Sequence, residues 1–78
     1  MKTESINIIY AFRKNSHEEV RAFIEDFHGL EMAHIRVFET GTTLDYPTKK
    51  GIAVQVTQLD ELKQAIDALV AAQEENSR

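Results

Sequence analysis

The apolar period of this 78-residue chain changes once, at about Thr57, and that change constrains the fold more than any other feature. Before it, Ile6, Ile8, Tyr10 and Phe12 alternate with Asn7, Ile9, Ala11 and Arg13. Ala33, Ile35 and Val37 alternate in the same way with His34, Arg36 and Phe38, and Ile52, Val54 and Val56 form a shorter set. A period of two puts one face of a strand on a core and leaves the other free. After Thr57, the residues Leu59, Leu62, Ile66, Leu69 and Val70 fall on one helical stripe, and Thr57 stands three before Asp60 as an N-terminal helix signal. The spacing predicts strands over 5–13 and 30–39, a short half-buried strand around 52–56, and a final helix of about 16 residues, roughly 24 Å long. Thr40 to Lys50 holds Gly41, Asp45 and Pro47 and reads as largely irregular, and Gln73 to Arg78 reads as a frayed polar tail.

The segment around 17–28 supports two readings. Val20, Phe23, Ile24 and Phe27 fall at i, i+3, i+4 and i+7, and Ser16 with Glu19 makes a capping-box pattern, which together read as a helix over 17–27. The same residues alternate as a strand, with Val20, Ala22 and Ile24 on one face and Arg21, Phe23, Glu25 and Phe27 on the other. Periodicity alone slightly favours the helix.

A chain of this mass hides about 63% of its unfolded surface, enough for one domain with a thin core that a second copy would help to cover. There is no cysteine, so disulfide frameworks and thiolate metal sites fall away, and an intracellular, cytoplasmic setting is expected. The longest apolar run, Ile8 to Phe12, is too short for a bilayer span, and the polar start lacks the plan of a signal peptide. The formal net charge is −4, but residues 1–57 carry 7 basic and 8 acidic groups whereas residues 58–78 carry 2 and 5. Since surface fields reach about 8 Å at physiological salt, a basic patch on the first part could still attract phosphate.

Pro47-Thr48-Lys49-Lys50-Gly51 places two ammonium groups beside a residue with no side chain. That arrangement suits a phosphate, and equally a solvated turn whose lysines discourage edge pairing. Arg36 and Phe38 share a strand face, and Phe23 and Phe27 match it if 19–28 is extended, giving the interleaved rings and guanidinium groups of a base-stacking platform. If 17–27 is helical, the phenylalanines fill the core instead. His17, His28 and His34 lack metal-ligand spacing, and no nucleophile stands at a fixed spacing from a base, so no metal, no cofactor and no enzymatic activity are expected.

Taken together, "VRAFIEDFHG", "HIRVF", "YPTKKGIAV" and "LDELKQAIDAL" resemble the core domain of the transcriptional coactivator positive cofactor four. The similarity runs from about Val20 through the last helix, apart from the length of the 40–46 loop. Its most telling parts are Phe27-His28-Gly29, Ile35-Arg36 and the Pro-x-Lys-Lys-Gly run at 47–51. Arg13-Lys14-Asn15-Ser16 followed by Glu18-Glu19-Val20-Arg21 is similar to bacterial and phage members.

The resemblance implies an α+β fold over residues 1–78 with an ordered core of about 5–73: a four-stranded curved antiparallel β-sheet followed by one C-terminal α-helix, forming a homodimer. It makes 19–28 the second strand. It implies sequence-tolerant binding of single-stranded DNA, with Phe27 stacking, Arg36 on the backbone, Phe38 at a usually aromatic position, Lys49, Lys50 and Gly51 in the basic turn, and Arg21 fitting the microbial pattern. Phe23 and His28 complete the expected surface. His28, Leu30 and Glu39 stand where the family has basic, often lysine, and tryptophan residues respectively, which predicts weaker binding than the coactivator's. If Arg21, Arg36, Lys49 and Lys50 each met one phosphate, the salt slope would be about −3 per protomer. The helix is expected to cover the inner sheet face with Leu59, Leu62, Ile66 and Leu69, and Leu62, Ile66, Leu69 and Val70 are expected at the dimer interface. The process served would be replication, recombination, repair or transcription, with proteins of that process as further partners. A dimeric protein-interaction module is the alternative, favoured by the acidic charge.

Overall fold

The structure, a computed structural model, describes residues 7–41 and 43–76. Strands β1 (Ile8–Arg13), β2 (Glu18–Phe27), β3 (Leu30–Glu39) and β4 (Tyr46–Gln55) form one open antiparallel sheet in the order β1-β2-β3-β4. A 3-10 turn, Val56–Gln58, leads into helix α1 (Leu59–Asn76). The expected α+β arrangement, four antiparallel strands and then one helix, is the one observed.

The ambiguous segment is a strand, and the reason lies in its neighbours. Each of the 10 residues of β2 pairs with one of β3, from Glu18 against Glu39 to Phe27 against Leu30, and β1 pairs on the other side. The two-residue turn supports this register: His28 and Gly29 have φ of 57° and 83°, the double positive φ of the hairpin turn whose twist matches its strands. A helix at 17–27 would leave all those strand donors and acceptors on β1 and β3 unpaired.

Several boundaries differ from the sequence expectation. The first strand begins at Ile8, and residues 5 and 6 lie outside those described. The basic run at 47–51 is part of a strand, because β4 starts at Tyr46 instead of near Ile52. Pro47 is tolerated there because β4 is an edge strand and its register jumps between Arg36↔Gly51 and Phe38↔Pro47, a bulge of the kind that accommodates proline. At the other end, Val56 leaves the sheet for the 3-10 turn, where the Gln58 side chain accepts the Gln55 N–H at 3.3 Å. Residues 73–76 continue the helix instead of fraying, and Arg78 lies beyond the described residues.

Register defines two faces. Glu19, Arg21, Phe23, Glu25 and Phe27 of β2 share the outer face with Phe38, Arg36, His34, Met32 and Leu30 of β3. Val20, Ala22 and Ile24 share the inner face with Val37, Ile35 and Ala33, joined by Phe12 and Tyr10 of β1 and Ile52 and Val54 of β4. α1 approaches this inner face at Ile35, where Leu59, Leu62 and Ile66 line an open cleft of about 350 Å³. The covering is shorter than expected: Leu59 and Leu62 are half-buried, but Ile66 is exposed and Leu69 is 69% exposed. The buried apolar set among the described residues is small, namely Phe23, Ala33, Val37 and Phe38.

Candidate nucleic-acid interface

The outer face is built around the register pair Arg21↔Arg36. Two guanidinium groups rooted on directly opposed positions, with Cα atoms about 5 Å apart, repel unless anions sit between or beside them. For Arg21 the anions come from the protein. Its Nε donates to Glu19 Oε1 at 2.6 Å and its Nη2 to Asp45 Oδ2 at 2.7 Å, while the guanidinium carbon lies 4.5 Å from the Phe38 ring centroid. Partial burial opposes the charge on Arg21, yet the Asp45 and Glu19 carboxylates outweigh it and hold the group above its ordinary range. Arg36 instead donates to the Thr48 carbonyl at 3.2 Å and has no carboxylate partner among the described residues.

Gly51 stands opposite Arg36, and its role is visible in the backbone. A Cβ there would collide with the Ile35 carbonyl and come within 2.7 Å of Arg36 Cα, at a φ of 147°. The missing side chain is therefore used to let the neighbouring strand β3 approach closely.

The two lysines differ. Lys49 is exposed. Lys50 Nζ lies 3.0 Å from Glu18 Oε2. Glu18 is buried where β1 turns into β2, its other oxygen accepting from Asn15 Nδ2 at 2.8 Å with Lys14 Nζ at 3.4 Å. Asn15 also accepts the backbone N–H groups of His17 and Glu18 at 2.9 and 2.8 Å, so one side chain organises the whole turn. The Asn15 bond, then that of Lys50, pulls the Glu18 carboxyl from 4.5 down to about 2, and Glu18 in turn raises Lys50. A carboxyl depressed on folding stabilises above its unfolded value and loses that contribution as pH falls through the folded one. Stability is thus expected to decline from about pH 5 toward pH 2, and Glu18→Gln to flatten that decline; urea midpoints at pH 7 and pH 3 for both proteins check it.

The aromatic residues separate into two kinds. Phe23 is 5% exposed, stacked on His34 with centroids 4.7 Å apart and planes 7° apart, and set edge-on to Phe38 at 6.1 Å. Phe38 is 8% exposed. Both lie on the expected face, but as its floor, because Arg21 and His34 cover them. Phe27, at the hairpin tip, is 60% exposed with the His28 ring edge-on at 4.5 Å. It is the ring of the four phenylalanines that the outer face offers to a ligand.

Sequence alternation puts Glu25 with Phe23 and Phe27, and His34 with Arg36 and Phe38, but assigns neither a role, and it does not single out Met32, Glu19 or Asp45. Alternation with Phe23 and Phe27 signals the face of Glu25, whereas the reach of Asp45 to Arg21 crosses from a loop and has no local signal. Leu62, Ile66, Leu69 and Val70, the residues expected at a dimer interface, lie on α1, which approaches the opposite, inner face of the sheet. Among the described residues no group of three or more metal-ligating side chains comes together, and no helix is long and apolar enough to cross a membrane.

No curated protein matches the chain. Among solved structures, the crystal structure of a PC4 homologue from Burkholderia pseudomallei K96243 superposes with a TM-score of 0.76, covering 95% of this chain and 99% of that one at 20% identity. At that identity the likeness establishes the fold. The family model described as Transcriptional Coactivator p15 (PC4) matches residues 14–65, which takes in β2, β3, β4 and the first turns of α1. On that match, over more than half of its length, the chain belongs to the Transcriptional Coactivator p15 (PC4) family.

Proposed function

We propose that the chain is a sequence-tolerant single-stranded DNA-binding protein that acts as a homodimer, through stacking on Phe27 and phosphate contacts from the cationic end of the outer face. The observation that carries this reading is the Arg36 guanidinium, held by a backbone carbonyl and not by a carboxylate, on the same face as the exposed Phe27 ring. A phosphate at Arg36 supplies the anion that Arg21 already has from Glu19 and Asp45, and a base at the ring removes apolar surface from water. The two features lie about 20 Å apart along β3, so one extended strand can engage both. Paired bases in a duplex have no free face for the ring, which selects unpaired DNA. Lys49 and Gly51 border Arg36, and His28 borders Phe27, extending the surface at both ends, while Lys50 reaches this end of the sheet only by giving up its Glu18 partner on the inner side. Family membership supports the reading. Such a protein serves replication, recombination, repair or transcription in a cytoplasmic setting.

Dimerisation rests on the inner face. Tyr10, Phe12, Ile24 and Ile52 of the sheet, with Ile66, Leu69 and Val70 of α1, leave a wide apolar surface open on one side. A second copy of the same face would close it with two-fold symmetry.

Fluorescence anisotropy of a labelled oligothymidine, with a duplex control, tests the binding. Phe27→Ala is expected to weaken it by about 1–3 kcal/mol without loss of fold, since the ring is exposed. With Arg21 and Lys50 already held by carboxylates, Arg36 and Lys49 are the contacts expected to release counterions. The salt slope is then about −1.4 per protomer, at −0.7 per contact, instead of about −3. A dimer that binds no oligonucleotide at any salt would favour the protein-interaction module.

A further inference from the structure

The hairpin end of the outer face carries a feature that repels phosphate. Glu25 and Met32 are register partners between Phe27 and His34, and these four side chains line an open groove of about 300 Å³. Glu25 Oε1 lies 3.2 Å from His34 Nε2. His34 is itself fixed by its parallel stack on Phe23, and its Nδ1 is buried with no hydrogen-bond partner. A bare lone pair is less costly to bury than an unsatisfied N–H, so the ring proton belongs on Nε2, where it donates to Glu25. One carboxylate oxygen is thereby anchored, while the side chain stays 44% exposed with its other oxygen facing no protein donor among the described residues. The groove thus joins an open aromatic ring, an apolar floor from Met32 and a positioned acceptor of hydrogen bonds.

A negative acceptor beside a stacking ring is matched by the amino edge of a base. Cytosine presents its N4 amino group, adenine its N6 amino group, and guanine an adjacent N–H and amino group; carboxylate side chains accept from such donors. Thymine offers only an imide N–H flanked by two carbonyl oxygens, whose lone pairs face the carboxylate. We propose that Glu25, held by His34 beside Phe27, reads the amino edge of the base stacked there, so that this position on the bound strand prefers cytosine to thymine. The proposal deepens the single-strand reading and rests on it. It replaces sequence tolerance with a preference confined to one nucleotide, the remaining contacts being to phosphate.

The test compares oligodeoxycytidine with oligodeoxythymidine of equal length by anisotropy at pH 8, where cytosine is unprotonated, for the wild type and Glu25→Gln. Both are pyrimidines, so differences in stacking area are small. One charge-assisted hydrogen bond gained by cytosine predicts a preference of roughly fivefold or more. Glu25→Gln, whose amide can donate as well as accept, is expected to bring the two oligonucleotides to within about twofold of each other. Circular dichroism confirms that the variant is folded, and Glu25→Ala, which removes the acceptor altogether, is expected to lose the preference in the same way. Equal wild-type affinities overturn the inference while leaving single-strand binding in place. A cytosine preference that survives in both variants also overturns it, since the selectivity would then arise elsewhere. Absence of binding to either oligonucleotide overturns the functional reading and this inference together.

Discussion

Phe23→Ala is expected to lower the stability of the fold by about 3–5 kcal/mol, the largest effect of any single truncation on the outer face. The ring is almost wholly buried, packed flat against His34 and edge-on to Phe38, so its removal leaves a cavity that neither neighbour can close without losing its own contact. A small domain has only about 5–15 kcal/mol to lose, and one of this size stands toward the lower end. Urea denaturation followed by circular dichroism should therefore show a large drop in midpoint, and a partly unfolded population without denaturant. Phe27→Ala, two positions along the same strand face, should leave the midpoint nearly unchanged while weakening binding. A folded Phe23→Ala protein of normal stability with impaired binding would show that the ring meets ligand, and would contradict the division of the face into a floor and an open ring.

That division marks where the sequence stops being informative. The alternation of Ala33, Ile35 and Val37 identifies β3 from local pattern alone, and the stripe from Leu59 to Leu69 identifies α1. For 18–27 the pattern fits two periods, because four apolar residues at 20, 23, 24 and 27 can satisfy either. What decides is the availability of β1 and β3 as pairing partners, a non-local fact that no window of the chain contains. The resemblance supplies that fact indirectly, through motifs whose spacing belongs to a hairpin. The same limit explains β4: Pro47 and Gly51 argue for a turn when read singly, and only an edge position with a bulge lets both sit in a strand.

The electrostatics of the surface were still less legible. Counting Arg21, Arg36, Lys49 and Lys50 as four equal phosphate contacts follows from their types, yet two of them meet carboxylates that lie far away in sequence. Asp45 is 24 residues from Arg21, and Glu18 is 32 from Lys50. Each is a charge-assisted bond at 2.7 or 3.0 Å, so a phosphate arriving at either cation competes with an anion already in place. The acidic balance of the chain is thus expressed locally, as neutralisation of specific cations.

Ile66→Asp is expected to separate the two copies of the proposed dimer. Ile66 stands at the boundary between the half-buried part of α1, Leu59 and Leu62, and its open part, Leu69 and Val70. It also borders the cleft against Ile35, so a partner seated on Leu69 and Val70 covers Ile66 next. Burying an isoleucine contributes about 1.5–3 kcal/mol, and two-fold symmetry doubles the loss to roughly 3–6 kcal/mol, a hundredfold or more in the dimer dissociation constant. The charge adds a desolvation cost in the same direction. Among the described residues no side chain is completely buried, so a protomer deprived of its partner has little core to fall back on. Dissociation and unfolding should therefore be coupled: the wild-type urea midpoint should rise with protein concentration, as mass action requires of a dimer that folds as one unit. For Ile66→Asp, light scattering should report a monomer, and the midpoint should be low and independent of concentration. A wild-type midpoint that stays constant over a hundredfold range of concentration, with a monomeric mass throughout, would contradict the dimer and leave the apolar inner face to some other partner.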